Sequence, residues 1–251
     1  MIEIAGLTFA AFAIMFGGLL KGAVGMGAPL VAVPILAGIY GVKTAIAIMT
    51  VPLIVSNLWQ MWSYRKVTEG RGALVRLLAG CVVGVVLGTF LLGIVPEAWL
   101  SVVLAALLFA YLALYVSRPD VTLTPPKARL AAVPVGVVTG ILQGAAGIST
   151  PVSVTFIHSQ RLPREAHLFA VSAMFMILSA TQILALTAVG VMSWRLIALS
   201  IVALVPIMAG VWLGQYLGSR VSQKTFERLT LAVILLIAIG LLAKAVPEIL
   251  A

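Results

Sequence analysis

Acidic residues are scarce in this sequence, and none of them lies inside an apolar run. The chain holds 7 aspartates and glutamates among 251 residues. All of them fall at the ends of predicted segments or in loops: Glu3, Glu69, Glu97, Asp120, Glu165, Glu227 and Glu248. Membrane proteins that pump cations rely on buried carboxylates as ion or proton relays. Their absence favours an anionic or neutral substrate.

Groups that perform catalysis or hold metals are equally sparse. Cys81 is the only cysteine and lies in an apolar run, which excludes a disulfide framework or a CxxC metal site. No HExxH, GxSxG or paired aspartate occurs, so the chain lacks the usual signatures of a hydrolase or a metalloenzyme. His158 and His167 read as interfacial residues. We therefore expect no enzyme activity, no catalytic residue, no metal and no cofactor.

Charge of either sign is low. Charged residues make up 9% of the chain and hydrophobic ones 63%, whereas soluble proteins carry about 25% charged residues. Many apolar runs approach the ~20 residues needed to cross a bilayer, which predicts an all-α polytopic membrane protein. The net charge of +9 comes without a basic, aromatic-rich module. Basic loops that face anionic lipid explain this charge, and nucleic acid is not an expected partner.

The chain contains an internal duplication. Gly18, Gly22, Gly25 and Pro29 recur 122 residues later as Gly140, Gly144, Gly147 and Pro151. The same offset pairs Thr50 with Ser172, Asn57 with Ser179, and Gln60 with Gln182; after a slip of four residues, Gly84 and Gly88 pair with Gly210 and Gly214. Glycine-rich interruptions at matching places in two apolar halves are typical of transporter binding sites.

Each copy predicts a broken helix hairpin followed by three membrane-spanning helices. The first repeat covers residues 1–117, a polar, proline-rich linker covers 118–129, and the second repeat covers 130–251. The hairpin arms are short, so we expect them to meet at a tip buried in the membrane. The predicted segments are 4–20, 29–40, 44–63, 73–93 and 98–117, then 130–142, 151–159, 165–189, 195–218 and 226–246.

An odd number of crossings per repeat inverts the second repeat relative to the first. The basic residues test this independently, because cytoplasmic loops are enriched in lysine and arginine. With the loop after the third segment inside, the linker is cytoplasmic and both termini face out. The cytoplasmic side then holds Arg65, Lys66, Arg71, Arg76, Arg118, Lys127, Arg129, Arg161, Arg164, Arg220, Lys224 and Arg228, and the outer side only Lys43, Arg195 and Lys244.

The two glycine-rich tips are the predicted substrate site. Inverted hairpins would enter from opposite faces and meet near the midplane, where backbone N–H groups and helix N-termini favour a small anion. Close helix packing through small residues is the alternative role of these glycines. Lys21 lies in the first tip, where a lysine is costly and usually functional; the alternative is that it snorkels to an interface.

Polar side chains extend this site along one face of the third segment and of its repeat. Asn57 and Gln60 are spaced to share a helical face, and so are Ser179 and Gln182. Hydrogen bonding between helices is the alternative role. The full set of predicted substrate-binding residues is Lys21, Gly22, Gly25, Gly27, Pro29, Asn57, Gln60, Gln143, Gly144, Gly147, Ser149, Thr150, Pro151, Ser179 and Gln182.

The pattern G-x-x-G-x-G-x-P from Gly22 to Pro29, repeated as G-x-x-G-x-S-x-P from Gly144 to Pro151, resembles the TauE/SafE sulfite exporters. This family is also called the toluene sulfonate uptake permeases. The resemblance spans nearly the whole chain. It places the tip glycines and prolines at the family's signature positions. Ser149 and Thr150 depart from the glycine-rich pattern of the first tip and are candidates for tuning substrate choice.

The resemblance implies a multi-pass protein of the bacterial inner membrane that moves small sulfur-containing or organic anions. Sulfite, thiosulfate and organosulfonates are the expected substrates, carried by alternating access around the two tips. A proton is a possible coupling ion, and the oligomeric state stays open. A passive anion channel and a permease for a small carboxylate are the alternative readings.

Overall fold

The computed structural model describes residues 4–25, 27–67, 69–117, 121–217 and 223–250, and across these ranges the chain forms helices and short connections without any strand. This confirms the predicted all-α class. In chain order the helices are α1 (Ile4–Val24), α2 (Ala28–Tyr40), α3 (Val42–Ser63), α4 (Arg71–Ile94), α5 (Glu97–Ser117), α6 (Pro125–Ala146), α7 (Thr150–His158), α8 (Arg164–Ala188), α9 (Trp194–Val202), α10 (Leu204–Leu217) and α11 (Gln223–Leu250).

Within the described residues, 8 segments are long and apolar enough to cross a membrane. They are α1, α3, α4, α5, α6, α8, α9 together with α10, and α11. At 1.5 Å per residue, the 13 residues of α2 and the 9 residues of α7 give lengths of about 20 and 14 Å. Neither reaches across a hydrocarbon core of about 30 Å. The protein is therefore a multi-pass membrane protein with one short helix following each glycine-rich tip.

The hairpin helices α1 and α6 are longer than the sequence predicted. We expected a segment at 130–142 preceded by a linker ending at residue 129, but α6 begins at Pro125 and has 22 residues. Prolines suit the first turn of a helix, where their missing N–H groups have no intrahelical partner to lose. Pro125 and Pro126, which we had assigned to the linker, instead form the first turn of α6. Both α1 and α6 are thus long enough to cross, where we had expected partial spans.

The span formed by α9 and α10 is interrupted at Ala203, which separates the two helices. Pro206 lies in the first turn of α10, and a proline ring clashes with the carbonyl one turn before it. The equivalent span of the first repeat, α4, carries Gly80 at this position and runs unbroken. Pro206, which α4 lacks at the equivalent position, is a physical reason for the interruption.

The two halves pack reciprocally. α1 packs against α10, and α6 packs against α4. α3 packs against α8, and α5 packs against α11. α3/α8 and α5/α11 join matching elements of the two repeats, while the α1/α10 and α6/α4 contacts are equivalents of each other, so the contacts follow the sequence duplication.

Glycines allow the closest of these contacts. A Cβ added to Gly22 would collide with the carbonyl oxygen of Val211, and one added to Gly144 would collide with that of Val85. These are equivalent contacts in the sequence register. Gly84 likewise lies at the crossing of α4 and α6, against the Val137 carbonyl. Backbones approach this closely only where no side chain intervenes, as in small-xxx-small packing of membrane helices.

Large apolar side chains cover the outside of the bundle. Phe90, Trp212, Leu236 and Trp194 are each more than half exposed, at 58%, 70%, 69% and 86%. Many further large apolar side chains are exposed, and soluble proteins rarely expose apolar surface on this scale. Lipid is the environment that such a surface fits, which agrees with the eight candidate spans.

Candidate functional site

Both tips turn in the same way. At the end of α1 the Gly25 N–H donates to the Lys21 carbonyl at 2.7 Å, and at the end of α6 the Gly147 N–H donates to the Gln143 carbonyl at 2.8 Å. Gly25 and Gly147 have φ angles of 87° and 71°, in the left-handed region that glycine adopts without a steric penalty. The left-handed glycine ends each hairpin helix and redirects the chain towards the following short helix.

Lys21 lies in the last turn of α1 and is 5% exposed. Its ammonium donates to the side-chain oxygen of Asn57 on α3. The Asn57 amide is itself fixed, because its Nδ2 donates to the Leu53 carbonyl at 2.7 Å. The buried Lys21 ammonium is therefore hydrogen-bonded to a neutral amide oxygen. Asn57 carries no charge, so it does not neutralise the positive charge of Lys21.

A cavity of about 440 Å³ adjoins Lys21. Its walls come from α1, α3, α8 and α10. These four helices form the two packed pairs α3/α8 and α1/α10. The lining residues are Lys21, Gly22, Ala23, Gly25, Ser56, Trp59, Gln60, Ser63, Tyr64, Arg164, Leu168, Val211 and Gln215. Lys21 and Arg164 are cationic and none of the lining residues is acidic, so the cavity has a positive electrostatic character.

The α3 wall of the cavity has polar atoms without hydrogen-bond partners in the described structure. Ser56 Oγ and Gln60 Oε1 are buried, and neither has a partner among the described residues. The two residues are one turn apart on α3 and so share a face. Buried polar atoms are normally paired. A ligand or water in the cavity would supply the missing partners.

The cavity lies at one end of the bundle. Ser63 and Tyr64 mark the end of α3, and Arg164 begins α8. The loops adjoining these ends are the ones that carry the predicted cytoplasmic cluster of basic residues. Within the described structure, the cavity is therefore on the side that the sequence assigns to the cytoplasm.

The second tip forms a separate polar group. Gln143 Nε2 donates to Gln182 Oε1 at 3.2 Å, and Gln182 Nε2 donates to the Gln143 carbonyl at 2.9 Å. Ser149 donates to Gln143 Oε1 at 3.2 Å. These hydrogen bonds link α6, the second tip and α8, and none of them reaches the Lys21 group.

The structure divides the predicted substrate-binding residues between two places. Lys21, Gly22, Gly25 and Gln60 line the cavity, and Asn57 adjoins it through Lys21. The others do not line it: Gly27, Pro29, Gln143, Gly144, Gly147, Ser149, Thr150, Pro151, Ser179 and Gln182. A single site formed by two tips near the midplane stays a prediction, since each tip makes its hydrogen bonds with a different set of residues.

Several lining residues were not predicted from the sequence. Ser56 and Ser63 each lie one turn from Gln60 on α3, and helical spacing alone would have placed them on the Gln60 face. Arg164 was counted among the cytoplasmic basic residues and was not considered as a ligand-binding group. Gln215 carries a weaker signal, because its equivalent in the first half is Thr89.

The two histidines and Cys81 do not line the cavity. The rings of His158 and His167 meet edge to face with centroids 6.1 Å apart. Cys81 is buried in α4. Among the described residues no group of three or more histidine, cysteine, aspartate or glutamate side chains is arranged to hold a metal.

The described part of the chain is an all-helical bundle with eight candidate spans, two glycine-rich breaks and a cationic cavity that no acidic residue lines. These are features of a polytopic membrane transport protein. A family model described as "Sulfite exporter TauE/SafE" matches residues 10–241. The chain belongs to this family, which the sequence pattern had predicted. No match was found among curated proteins or among solved structures. The family is a transporter family, which is consistent with the expectation that the protein is not an enzyme.

Proposed function

We propose that the protein exports small sulfur-containing or organic anions, such as sulfite, thiosulfate or organosulfonates, across the bacterial inner membrane. The observation that carries this proposal is the buried Lys21 ammonium on the wall of an acid-free cavity. Lysine at depth in a membrane protein is expensive unless it serves a function. An anion in the cavity would neutralise this charge and would also accept a hydrogen bond from the free Ser56 hydroxyl.

The size of the electrostatic effect is sufficient for binding. An ammonium about 4 Å from a monoanion contributes up to roughly 4 kcal/mol at an effective dielectric near 20. Desolvation of the lysine in the empty protein offsets part of this gain. A net contribution of about 1–3 kcal/mol remains, which corresponds to about 5- to 150-fold in affinity.

Alternating access about the two tips is the mechanism we propose. Reciprocal packing of α1 on α10 and of α6 on α4 supports two equivalent halves that can exchange roles, as in transporters built from inverted repeats. Gly25 and Gly147 supply the backbone freedom for such a movement. With both termini outside, the cavity faces the cytoplasm, which is the loading side of an exporter.

Transport into proteoliposomes tests the proposal. We expect purified protein to accumulate [³⁵S]sulfite or [³⁵S]thiosulfate against its gradient when an ion gradient is imposed. Lys21→Gln should lower the apparent affinity for the anion about 5- to 150-fold, because Gln143 shows that glutamine fits the equivalent tip position. Lys43→Gln is the matched control, since Lys43 contacts the Gly93 carbonyl at 3.2 Å, away from the cavity.

The alternatives give different results in the same assay. Equilibration without accumulation would identify a passive anion channel. Accumulation of acetate or another small carboxylate in preference to the sulfur anions would identify a carboxylate permease. Equal transport by the parent, Lys21→Gln and Lys43→Gln would show that Lys21 only snorkels.

A further inference from the structure

A second polar cluster lies around the second tip, outside the cavity. We define it as Thr89, Gln143, Ser149, Thr150, Ser179 and Gln182, all of which are 4% exposed or less. Hydrogen bonds join Gln143 to Ser149 and Gln182. The Gln182 amide also lies 3.5 Å from the Gly144 carbonyl, and the Thr89 backbone packs against Gly144.

The cluster is the repeat counterpart of the cavity wall. At the offset of 122 residues, Lys21 corresponds to Gln143, Asn57 to Ser179 and Gln60 to Gln182. At the later offset of 126, Gln215 corresponds to Thr89. The surroundings match as well, because Leu168 lies against Gly25 and its equivalent Ile46 lies against Gly147. The same positions thus line an open cavity in one half and a closed cluster in the other.

Three hydroxyl groups of the cluster are unused. Thr89 Oγ1, Thr150 Oγ1 and Ser179 Oγ are buried without a hydrogen-bond partner among the described residues. Buried hydroxyls are normally paired, and leaving them unpaired costs stability. Ser179 is one turn from Gln182 on α8, and Thr150 follows Ser149 directly. Both are therefore anchored next to the hydrogen-bonded core of the cluster.

We propose that this cluster is a second binding site for the transported anion, closed in this structure and free of any cation. The inference rests on the proposed function, because it assigns the same substrate to both repeats. Hydroxyl and amide N–H groups would donate to the anion's oxygens. Since Gln143 replaces Lys21, the second site binds the anion more weakly than the cavity does. An anion that moves from the cavity to this cluster leaves the Lys21 ammonium behind. Its release from the cluster then does not require separation from a fixed positive charge.

The unused hydroxyls allow a test that leaves the protein folded. Removing an unpaired buried hydroxyl breaks no hydrogen bond within the protein, so Thr89→Val/Ser179→Ala should melt at or above the temperature of the parent. Equilibrium dialysis of the purified protein against [³⁵S]sulfite then counts bound anions per chain. Tyr40→Phe is the matched control, since its hydroxyl is also buried and unpaired but lies outside the cluster.

We expect the parent and Tyr40→Phe to bind two anions per chain, one with high and one with lower affinity. Thr89→Val/Ser179→Ala should bind only the high-affinity anion. Lys21→Gln should weaken the binding of the high-affinity anion. If parent and double variant each bind a single anion, the second site is overturned while the proposed function stands. If the parent binds none, both fail. A sodium-dependent rise in melting temperature that is lost in the double variant would make the cluster a cation site, and this too would overturn the inference.

Discussion

Lys21 has donor capacity beyond the single bond it makes. An ammonium carries three N–H donors, and within the described structure the hydrogen bond of Lys21 goes to Asn57. An anion with several oxygens matches this arrangement better than one with a single acceptor. Lys21 therefore offers an anion both a positive charge and unused hydrogen-bond donors.

Arg164 offers a second, more exposed cation to the same cavity. We expect Arg164→Gln to lower anion affinity about 5-fold at low salt, because a charge pair at about 4 Å in water contributes roughly 1 kcal/mol. The effect should shrink as salt rises, since the Debye length is about 10 Å at 0.1 M. Affinity measured by radioligand dialysis at several ionic strengths checks this.

Arg76→Gln is the control for that measurement, because its guanidinium donates to the Arg129 carbonyl at 3.3 Å, away from the cavity. A salt-independent loss for Arg164→Gln, as large as that for Lys21→Gln, would instead mean that Arg164 binds the anion directly.

At the two tips, the backbone conformation and the close neighbours together disfavour any residue other than glycine. Gly25 and Gly147 combine a positive φ with a close neighbour, since an added Cβ would meet Leu168 at the first and Ile46 at the second. Gly190 has a positive φ of 74° but nothing within 4 Å of an added Cβ. Comparison of these positions separates backbone strain from crowding at the tip.

We expect Gly25→Ala and Gly147→Ala to lose most transport in proteoliposomes, while Gly190→Ala loses little. All three variants carry the left-handed strain of roughly 1–2 kcal/mol, which should lower their melting temperatures. Only the tip variants also force a neighbouring side chain to move, Leu168 on α8 or Ile46 on α3. Loss of transport to the same extent in all three, at equal protein yield, would show that the tips have no special role.

At the scale of the whole molecule, topology follows from the basic residues. We expect a reporter fused to the C-terminus to be active only when the reporter works outside the inner membrane, and one inserted in the loop after α3 only when it works inside. The reason is the excess of lysine and arginine in the predicted cytoplasmic loops. The two fusions serve as controls for each other. A cytoplasmic C-terminus would contradict the inverted arrangement and would reverse the side on which the cavity opens.

Reciprocal packing is the other property of the whole molecule. Because α1 packs on α10 and α6 on α4, each tip is held by a span of the opposite repeat. In the proposed mechanism, a shift of one half against the other would move both tips at once. This coupling is what an exchange between an open cavity and a closed cluster requires.

Composition and spacing were sufficient for the class, the duplication, the approximate spans and the family. Hydrophobic length determines which segments cross a bilayer, and that property is local. The repeat was recognisable from glycines and prolines at matching positions. Lys21 was a functional candidate because it lies in an apolar run. The start of α6 was missed because prolines both break and begin helices, and sequence alone does not tell which.

Only the tertiary structure decided how the polar residues divide between two places. The sequence placed Asn57 and Gln182 in equivalent stripes, but contacts between distant segments determine that one meets Lys21 and the other Gln143. Arg164 and Gln215 reach the cavity through the packing of α8 and α10 against α3 and α1. Those crossings depend on close backbone approach at the glycines of both halves, which spacing within one helix does not reveal.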